Sequence, residues 1–336
     1  AALLKGRTAR PEVSLVVAPG SRQVLETIAR TDALAALIAA GARIDEAACG
    51  FCIGAAQAPP SGAVSVRTSN RNFEGRSGTK TAGVYLASPE TAAACALTGR
   101  MTDPRDLGVP YPKIRRPRLV VDDSMILAPA ADPKAIEVFR GPNLVGPPPM
   151  DALPDRLAGL VAIQVGDKIT TDHIMPAGAL TVYRSNVPKY AQYVFHRVDA
   201  DFAARCLKTR DAGKANFIVA GSSYGQGSSR EHAALCPRFL GVRAVLAKSI
   251  ERIHQDNLIN FGILPLVFAS CDDAAGIRQG DDLELDGLRA AVTGHGTVAV
   301  RNATRGLTFQ VRLDVSDRQR RILLAGGVLN LLRTRA

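Results

Sequence analysis

The sequence predicts an α/β protein in two domains, and three observations carry that prediction. Short β-rich runs at 13–17 and 43–44 flank a helical pattern over 22–40, the rhythm of a parallel α/β layer. Prolines crowd residues 103–155 too densely for a helix or a central strand, so this stretch reads as a connector and domain boundary. Beyond it, an apolar run at 216–220 reads as a buried strand. It leads into the Gly-rich turn 221–230 and a helical stretch, 231–240, limited or kinked by Pro237.

The remaining elements follow in order. Residues 1–5 read as the tail of a helix. Ser21 caps the helix over 22–40, with apolar positions at Val24, Leu25, Ile28, Leu34, Leu37 and Ile38, and Gly41 ends it. A strand at 64–68 delivers the polar loop 69–78, which carries Arg71 and Arg76; a solvated loop is the plain reading of those arginines. Pro89 opens a small Ala-rich helix, 90–97, that Gly99 closes and in which Cys95 packs. Short elements at 120–121 and 135–139 punctuate the connector. A strand at 160–165 opens the second domain. The polar run Thr170-Thr171-Asp172-His173 then reads as a loop at a sheet edge, with Asp172 and His173 either an acid–base pair or a hydrogen-bonded turn. Residues 190–206 read as helical, 242–248 as a strand and 251–258 as a helix. Short strands alternate from 282 to 314, and Ser316 caps a last helix, 317–332, interrupted by Gly326-Gly327.

The 336 residues suffice for two cores. With 46% apolar and 22% charged residues the composition is that of a globular chain, and no run of eighteen apolar residues exists to cross a membrane. No secretory signal is visible, and a chain that opens on Ala1 without an initiator Met reads as a segment of a longer polypeptide. The net charge of +11 invites a nucleic-acid partner, yet the basic residues are scattered and no nucleic-acid-binding motif is present. Small polyanionic substrates also need arginines and suit the motifs better. Of six cysteines only Cys49 and Cys52 are closely spaced, which is no disulfide framework; a reducing compartment and a cytoplasmic location are expected.

The Cys49-Gly-Phe-Cys52 pair has several readings taken alone: half a zinc site, a redox pair, part of an iron–sulfur site, or inert structure. No second CxxC and no HxxxH supplies further zinc ligands. The Gly-rich turn has a plain reading too, a helix start capped by Ser228 or Ser229; its alternative is an anion site with an arginine beside two hydroxyls.

In combination these motifs are specific. Cys49-Gly-Phe-Cys52-Ile-Gly54, Asn70-Arg71-Asn-Phe-Glu-Gly-Arg76, Thr170-Thr-Asp-His-Ile174 and Tyr224-Gly-Gln-Gly-Ser-Ser-Arg-Glu-His-Ala-Ala-Leu235 occur in that order, followed by Asp256-Asn-Leu-Ile-Asn-Phe-Gly-Ile-Leu-Pro265. The whole chain resembles the C-terminal half of the aconitase family of iron–sulfur hydro-lyases. That resemblance implies a three-layer α/β domain with a parallel sheet over 1–104, a Pro-rich linker over 105–155, and a mixed β/α swivel domain over 156–336. It implies a 4Fe-4S cluster with Cys49 and Cys52 as two of three thiolates, the third being absent from this chain, and Asn70 as a cluster-supporting residue. Arg71, Arg76 and Arg184 match arginines that grip substrate carboxylates. Ser228 matches the catalytic base, and Ser229 and Arg230 match further substrate contacts. Asp172 and His173 lie in a signature loop without an assigned role.

Two departures, Phe51 between the cysteines and Ser69 before Asn70, touch the cluster loop. The implied function is aconitate hydratase, interconverting citrate and isocitrate through cis-aconitate. The chain would be inactive without the missing N-terminal domains, in the same or a separate chain, and the linker would be a hinge between cluster and base. The alternatives are a sister dehydratase acting on 2-methylcitrate, homoaconitate or isopropylmalate, and an RNA-binding apo-protein. Three carboxylates on one substrate explain several arginines. An alkoxide base is reasonable only where backbone N–H groups and a guanidinium stabilise it.

Overall fold

In the computed structural model, which describes residues 1–336 apart from 56, 71–73, 114–116, 228–229, 295 and 335–336, the chain divides into two units, Ala1–Ile136 and Glu137–Ala336. The division falls inside the Pro-rich stretch.

The first unit contains β1 (Val16–Val17), α1 (Arg22–Ala29), α2 (Asp32–Ala39), β2 (Arg43–Ile44), β3 (Val64–Arg67), β4 (Gly83–Leu86) and α3 (Pro89–Thr98). Parallel pairing is present, but as two separate two-stranded sheets, β1 with β2 and β3 with β4. Leu4, Leu37, Ala40 and Ala42 form a small core, with Val17, Ile28 and Ile44 packed against it. The helix expected over 22–40 is two helices. Thr31 caps the second, its hydroxyl accepting the Ala33 N–H at 3.3 Å. The apolar spacing lapses between Ile28 and Leu34, where Arg30, Thr31 and Asp32 interrupt it, so the break and its cap residue stand in the sequence. Residues 1–5 form a hydrogen-bonded turn rather than a helix. Ser88, Pro89 at the first helical position and a left-handed Gly99 (φ 73°) bound α3 as expected. In the connector the only regular pieces among the described residues are 3-10 turns at Pro104–Leu107 and Pro133–Ala135; no strand forms at 120–121.

The second unit contains β5 (Leu157–Gln164), α4 (Thr171–Ile174), α5 (Val187–Tyr190), α6 (Phe202–Asp211), β6 (Ala215–Ala220), α7 (His232–Phe239), β7 (Val242–Ala247), α8 (Arg252–Asn260), β8 (Leu264–Phe268), β9 (Asp282–Leu285), α9 (Leu288–Thr293), β10 (Thr297–Asn302), β11 (Leu307–Arg312), α10 (Asp317–Ala325) and α11 (Val328–Arg333). Its sheet is mixed, and it closes into a barrel in the order β10-β11-β8-β7-β6-β5-β9. Strands β5 to β8 run parallel, and β9, β10 and β11 complete the circle with antiparallel pairings. Alternation along β6 sends Phe217 and Val219 to the barrel core and Ile218 and Ala220 to a second core, shared with Tyr190, Phe202, Leu235 and Leu258 on the helices.

Two expectations are corrected here. The 170–174 run is a one-turn helix, α4, closed by a capping box between Thr170 and His173, rather than a loop. Residues 190–206 are not one helix: α5 ends at Tyr190, and α6 begins only at Phe202. Between them Phe195 adopts φ 55°, and its N–H donates to the Ile174 carbonyl at 2.8 Å, which no continuous helix permits.

Closure demands a very close approach of β5 to β6. A Cβ on Gly159 would lie 1.9 Å from the Ala215 carbonyl oxygen. Gly159→Ala therefore forces the two strands apart, and thermal unfolding followed by circular dichroism should show a loss exceeding about 3 kcal/mol.

Candidate functional site

The Gly-rich turn leaves the C-terminal end of β6 and docks on the segment 166–171 through backbone hydrogen bonds. Gly225 and Gln226 both donate to the Ile169 carbonyl, at 2.8 and 3.1 Å, and the Thr171 N–H donates to the Gln226 carbonyl at 2.9 Å. The Ser222 N–H donates to Asp167 Oδ1 at 2.7 Å. Ser223 is left-handed (φ 62°), which sets its hydroxyl on Glu251 Oε1 and its N–H on Ser249 Oγ. Gly225 is a position where no side chain fits. Its φ is 84°, and a Cβ would lie 2.3 Å from the His254 ring.

Beneath the turn, His254 and Tyr224 form a buried pair, ring centroids 5.3 Å apart. Neither imidazole nitrogen nor the Tyr224 hydroxyl has a hydrogen-bond partner among the described residues. Burial lowers the His254 pKa to about 4, so the ring is neutral near pH 7, and burial raises the Tyr224 phenol.

Arg230 lies at the end of the turn. Its Nη2 meets Asp172 Oδ1 at 2.8 Å and donates to Thr171 Oγ1 at 3.3 Å, while Nη1 donates to the Met175 carbonyl at 3.0 Å. The one-turn helix α4 thus holds the guanidinium on two sides. His173 does not face it: its Nδ1 accepts the Thr170 N–H at 3.0 Å, which leaves the proton on Nε2 and makes the ring a cap. The Arg184 side chain is exposed, and its carbonyl accepts from His232 Nε2 at 2.8 Å. His232 also packs against Tyr190, centroids 5.2 Å apart. The helix α7 starts at His232, with Glu231 at its N-cap position and no side-chain cap, so a serine does not occupy that position. Ser228 and Ser229 lie outside the described residues.

In the first unit, Cys49 precedes and Cys52 lies within a 3-10 turn, Phe51–Ile53, that a left-handed Gly54 (φ 77°) terminates. A Cβ on Gly54 would lie 2.9 Å from the Ser77 carbonyl oxygen, so this glycine lets the turn press against the Arg76-Ser77 segment. Arg76 Nη2 reaches Cys52 Sγ at 3.7 Å. Burial raises the Cys52 thiol, but hydrogen bonds from Arg76 and Cys49 and the charges of Arg76 and Arg67 outweigh it and hold the pKa below the usual value. Arg67, 7% exposed, donates to the Phe51 carbonyl at 3.4 Å and was not foreseen; nothing in the spacing of 64–68 marks it. Asn70 is exposed at a bend after β3, and Arg71 lies outside the described residues.

The donor set suits an iron–sulfur cluster in kind: two soft thiols in a cationic setting, with the buried Arg67 Nε and Ser77 Oγ left without partners. It is incomplete in number. No three His, Cys, Asp or Glu among the described residues stand close enough to hold a metal. The other cysteines do not help: Cys95, Cys206 and Cys236 are buried, and burial pushes Cys206 up to about 12. The structure brings together Cys52 with Arg76, and Arg230 with Asp172. It leaves His173 and the Arg184 side chain apart from those contacts.

Two family models match this sequence. One, the aconitase family (aconitate hydratase), matches residues 1–99, and the other, the aconitase C-terminal domain, matches residues 177–271. The chain belongs to the aconitase family. It is 29% identical to a mitochondrial aconitate hydratase of Candida albicans over 95% of this chain and 47% of that one. It is 32% identical to a mitochondrial homoaconitase of Mycosarcoma maydis over 79% of this chain and 36% of that one. A solved 3-isopropylmalate dehydratase (leuD) of Methanocaldococcus jannaschii aligns at TM-score 0.44 and 28% identity, over 54% of this chain and 95% of that one. This aconitase-family chain spans about half the length of the curated relatives it matches.

The relatives named as aconitate hydratases carry a mitochondrial designation, which overturns the expected cytoplasmic location. Free cysteines mark a reducing compartment, and that condition does not separate cytosol from the mitochondrial interior.

Two outcomes follow from this geometry. Arg76→Gln should slow alkylation of Cys52 by iodoacetamide about fivefold at pH 7.5, because the thiolate loses its guanidinium. Lowering the pH should destabilise the fold through His254. Its folded pKa of about 4 lies below the ordinary imidazole value of 6.5, so stability is full above pH 6.5 and is lost on acidification toward pH 4. The loss is on the order of 3 kcal/mol. His254→Leu should remove that slope in urea titrations between pH 7 and 4.

Proposed function

We propose that this chain forms part of a hydro-lyase that interconverts citrate and isocitrate through cis-aconitate. The observation that carries the reading is Arg230, oriented by the Met175 carbonyl, Thr171 and Asp172 at the end of a turn that holds Ser223 in the left-handed region and places glycines at the positive φ of 225 and 227. A substrate carboxylate can exchange with Asp172 on Arg230, one anion replacing another without reorienting the guanidinium. Arg71, Arg76, Arg184 and Ser229 would hold further carboxylate and hydroxyl oxygens of the tricarboxylate. Ser228 would take the proton alpha to a carboxylate, its alkoxide stabilised by the turn's N–H groups and Arg230.

Cys49 and Cys52 would provide two ligands of a 4Fe-4S cluster, with Arg76 and Arg67 offsetting thiolate charge and Asn70 supporting the loop. When bound, the cluster supplies a Lewis acid for the leaving hydroxyl. Its remaining ligand would come from further domains of the complete protein. In this reading the first 104 residues belong to a three-layer α/β domain, 105–155 to a linker and 156–336 to the swivel domain.

The homoaconitase relatives favour a second reading, a dehydratase for a longer citrate analogue. One series of assays tests both. In the complete protein, turnover should be highest on citrate when compared with homocitrate, 2-methylcitrate and 3-isopropylmalate; a preference for any other acid replaces the substrate. Ser228→Ala should lower kcat by roughly 10²–10⁴-fold with KM nearly unchanged. Near-normal turnover in that variant removes Ser228 as the base.

A further inference from the structure

In the second unit, the N-terminal ends of β5, β6 and β7 surround a cavity of about 570 Å³, lined in part by Leu157, Ala215 and Arg243. It lies at the far end of the sheet from the Gly-rich turn. Strand β6 runs from Ala215 at the cavity to Gly221 at the turn, six residues or about 20 Å. The walls are basic. Arg156, Arg210, Lys214, Arg238 and Arg243 line them, against Asp151 as the acidic group.

Three of these cations already have carboxylate partners: Arg156 with Glu284 and Asp286, Arg210 with Asp211, and Lys214 with Asp282, all at 2.8–3.3 Å. Arg238 and Arg243 have none among the described residues. Arg238 is only 8% exposed; its Nε donates to the Phe261 carbonyl at 3.1 Å, and its Nη2 is buried without a partner. Arg243 Nε is buried without a partner as well. Burial lowers both guanidinium pKa values, Arg243 adds to the effect on Arg238, and Asp151 opposes it from an exposed position. A buried and a half-buried like charge facing one exposed carboxylate are costly unless another anion joins them.

We infer that this cavity binds a small molecule of the phosphate class, free or esterified, with its oxygens held between Arg238 and Arg243. A doubly charged tetrahedral group suits two neighbouring guanidinium forks better than one carboxylate does. The cavity is larger than a phosphate ion, and Phe239, with the Arg210 guanidinium 5.1 Å from its ring centre, offers a wall for an organic portion. This site is independent of the proposed catalytic chemistry and needs no cluster.

Calorimetric titration of the whole chain with inorganic phosphate, at ionic strength held constant with chloride, tests it. Saturable binding is expected. Arg243→Gln should weaken it at least about tenfold. Asp151→Asn, which removes an exposed competing carboxylate, should tighten it about threefold or more. No saturable binding above the chloride control overturns the inference, as does binding that Arg243→Gln leaves unchanged. If Arg243→Gln does not fold, as judged by circular dichroism, the surface variant Asp151→Asn decides, and unchanged affinity overturns the inference. Tighter binding of glucose 6-phosphate than of inorganic phosphate assigns an ester to the site; equal or weaker binding assigns the free ion.

Discussion

The contact of the Gly-rich turn with the Ile169 carbonyl and the His254 ring governs the second unit's chemistry. Two successive N–H groups, from Gly225 and Gln226, converge on that one carbonyl, and the Thr171 N–H returns the contact to Gln226. Thr171 opens α4, so the same ladder that seats the turn also delivers Asp172 to Arg230. None of this is available with a side chain at 225, where the His254 ring already fills the space. His254 and Tyr224 are therefore a supporting floor, and their polar atoms, without partners among the described residues, mark an energetic cost carried beneath the turn.

Much of this was legible in the sequence because its signals are local. Strand β6 announced itself as an apolar run and β7 was read at 242–248, and Ser88, Pro89 and Gly99 bounded α3 as their chemistry requires. Of what failed, the break at Thr31 was local, since Arg30, Thr31 and Asp32 interrupt the apolar period, and the rest was long-range: Phe195 leaves the helical region because Ile174 receives its N–H. Barrel closure depends on β9 reaching both β5 and β10, which no local pattern encodes. In the candidate site, Arg230 and Asp172 were both read from motifs, but their pairing was not. Arg67 was missed because nothing near it in sequence signals burial under a cysteine turn.

The strongly basic balance acquires a structural explanation. Arg67, Arg238 and Arg320 are each nearly buried, and each ties down a backbone carbonyl, from Phe51, Phe261 and Val292 respectively. Arg205 does the same with Ala162. Each of these guanidinium groups adds to the net charge while serving a backbone carbonyl, Arg238 also within the basic cavity, so composition alone does not place that charge on an open face.

Closure of the seven-stranded sheet also changes how the second unit can associate. A sheet joined to itself has no unpaired row of N–H and C=O groups, so another chain cannot extend it by adding a strand, and partners must engage its helices or rims. The first unit differs. Its strands form two separate parallel pairs, and Val64, Tyr85 and Leu86 are exposed on the β3–β4 pair.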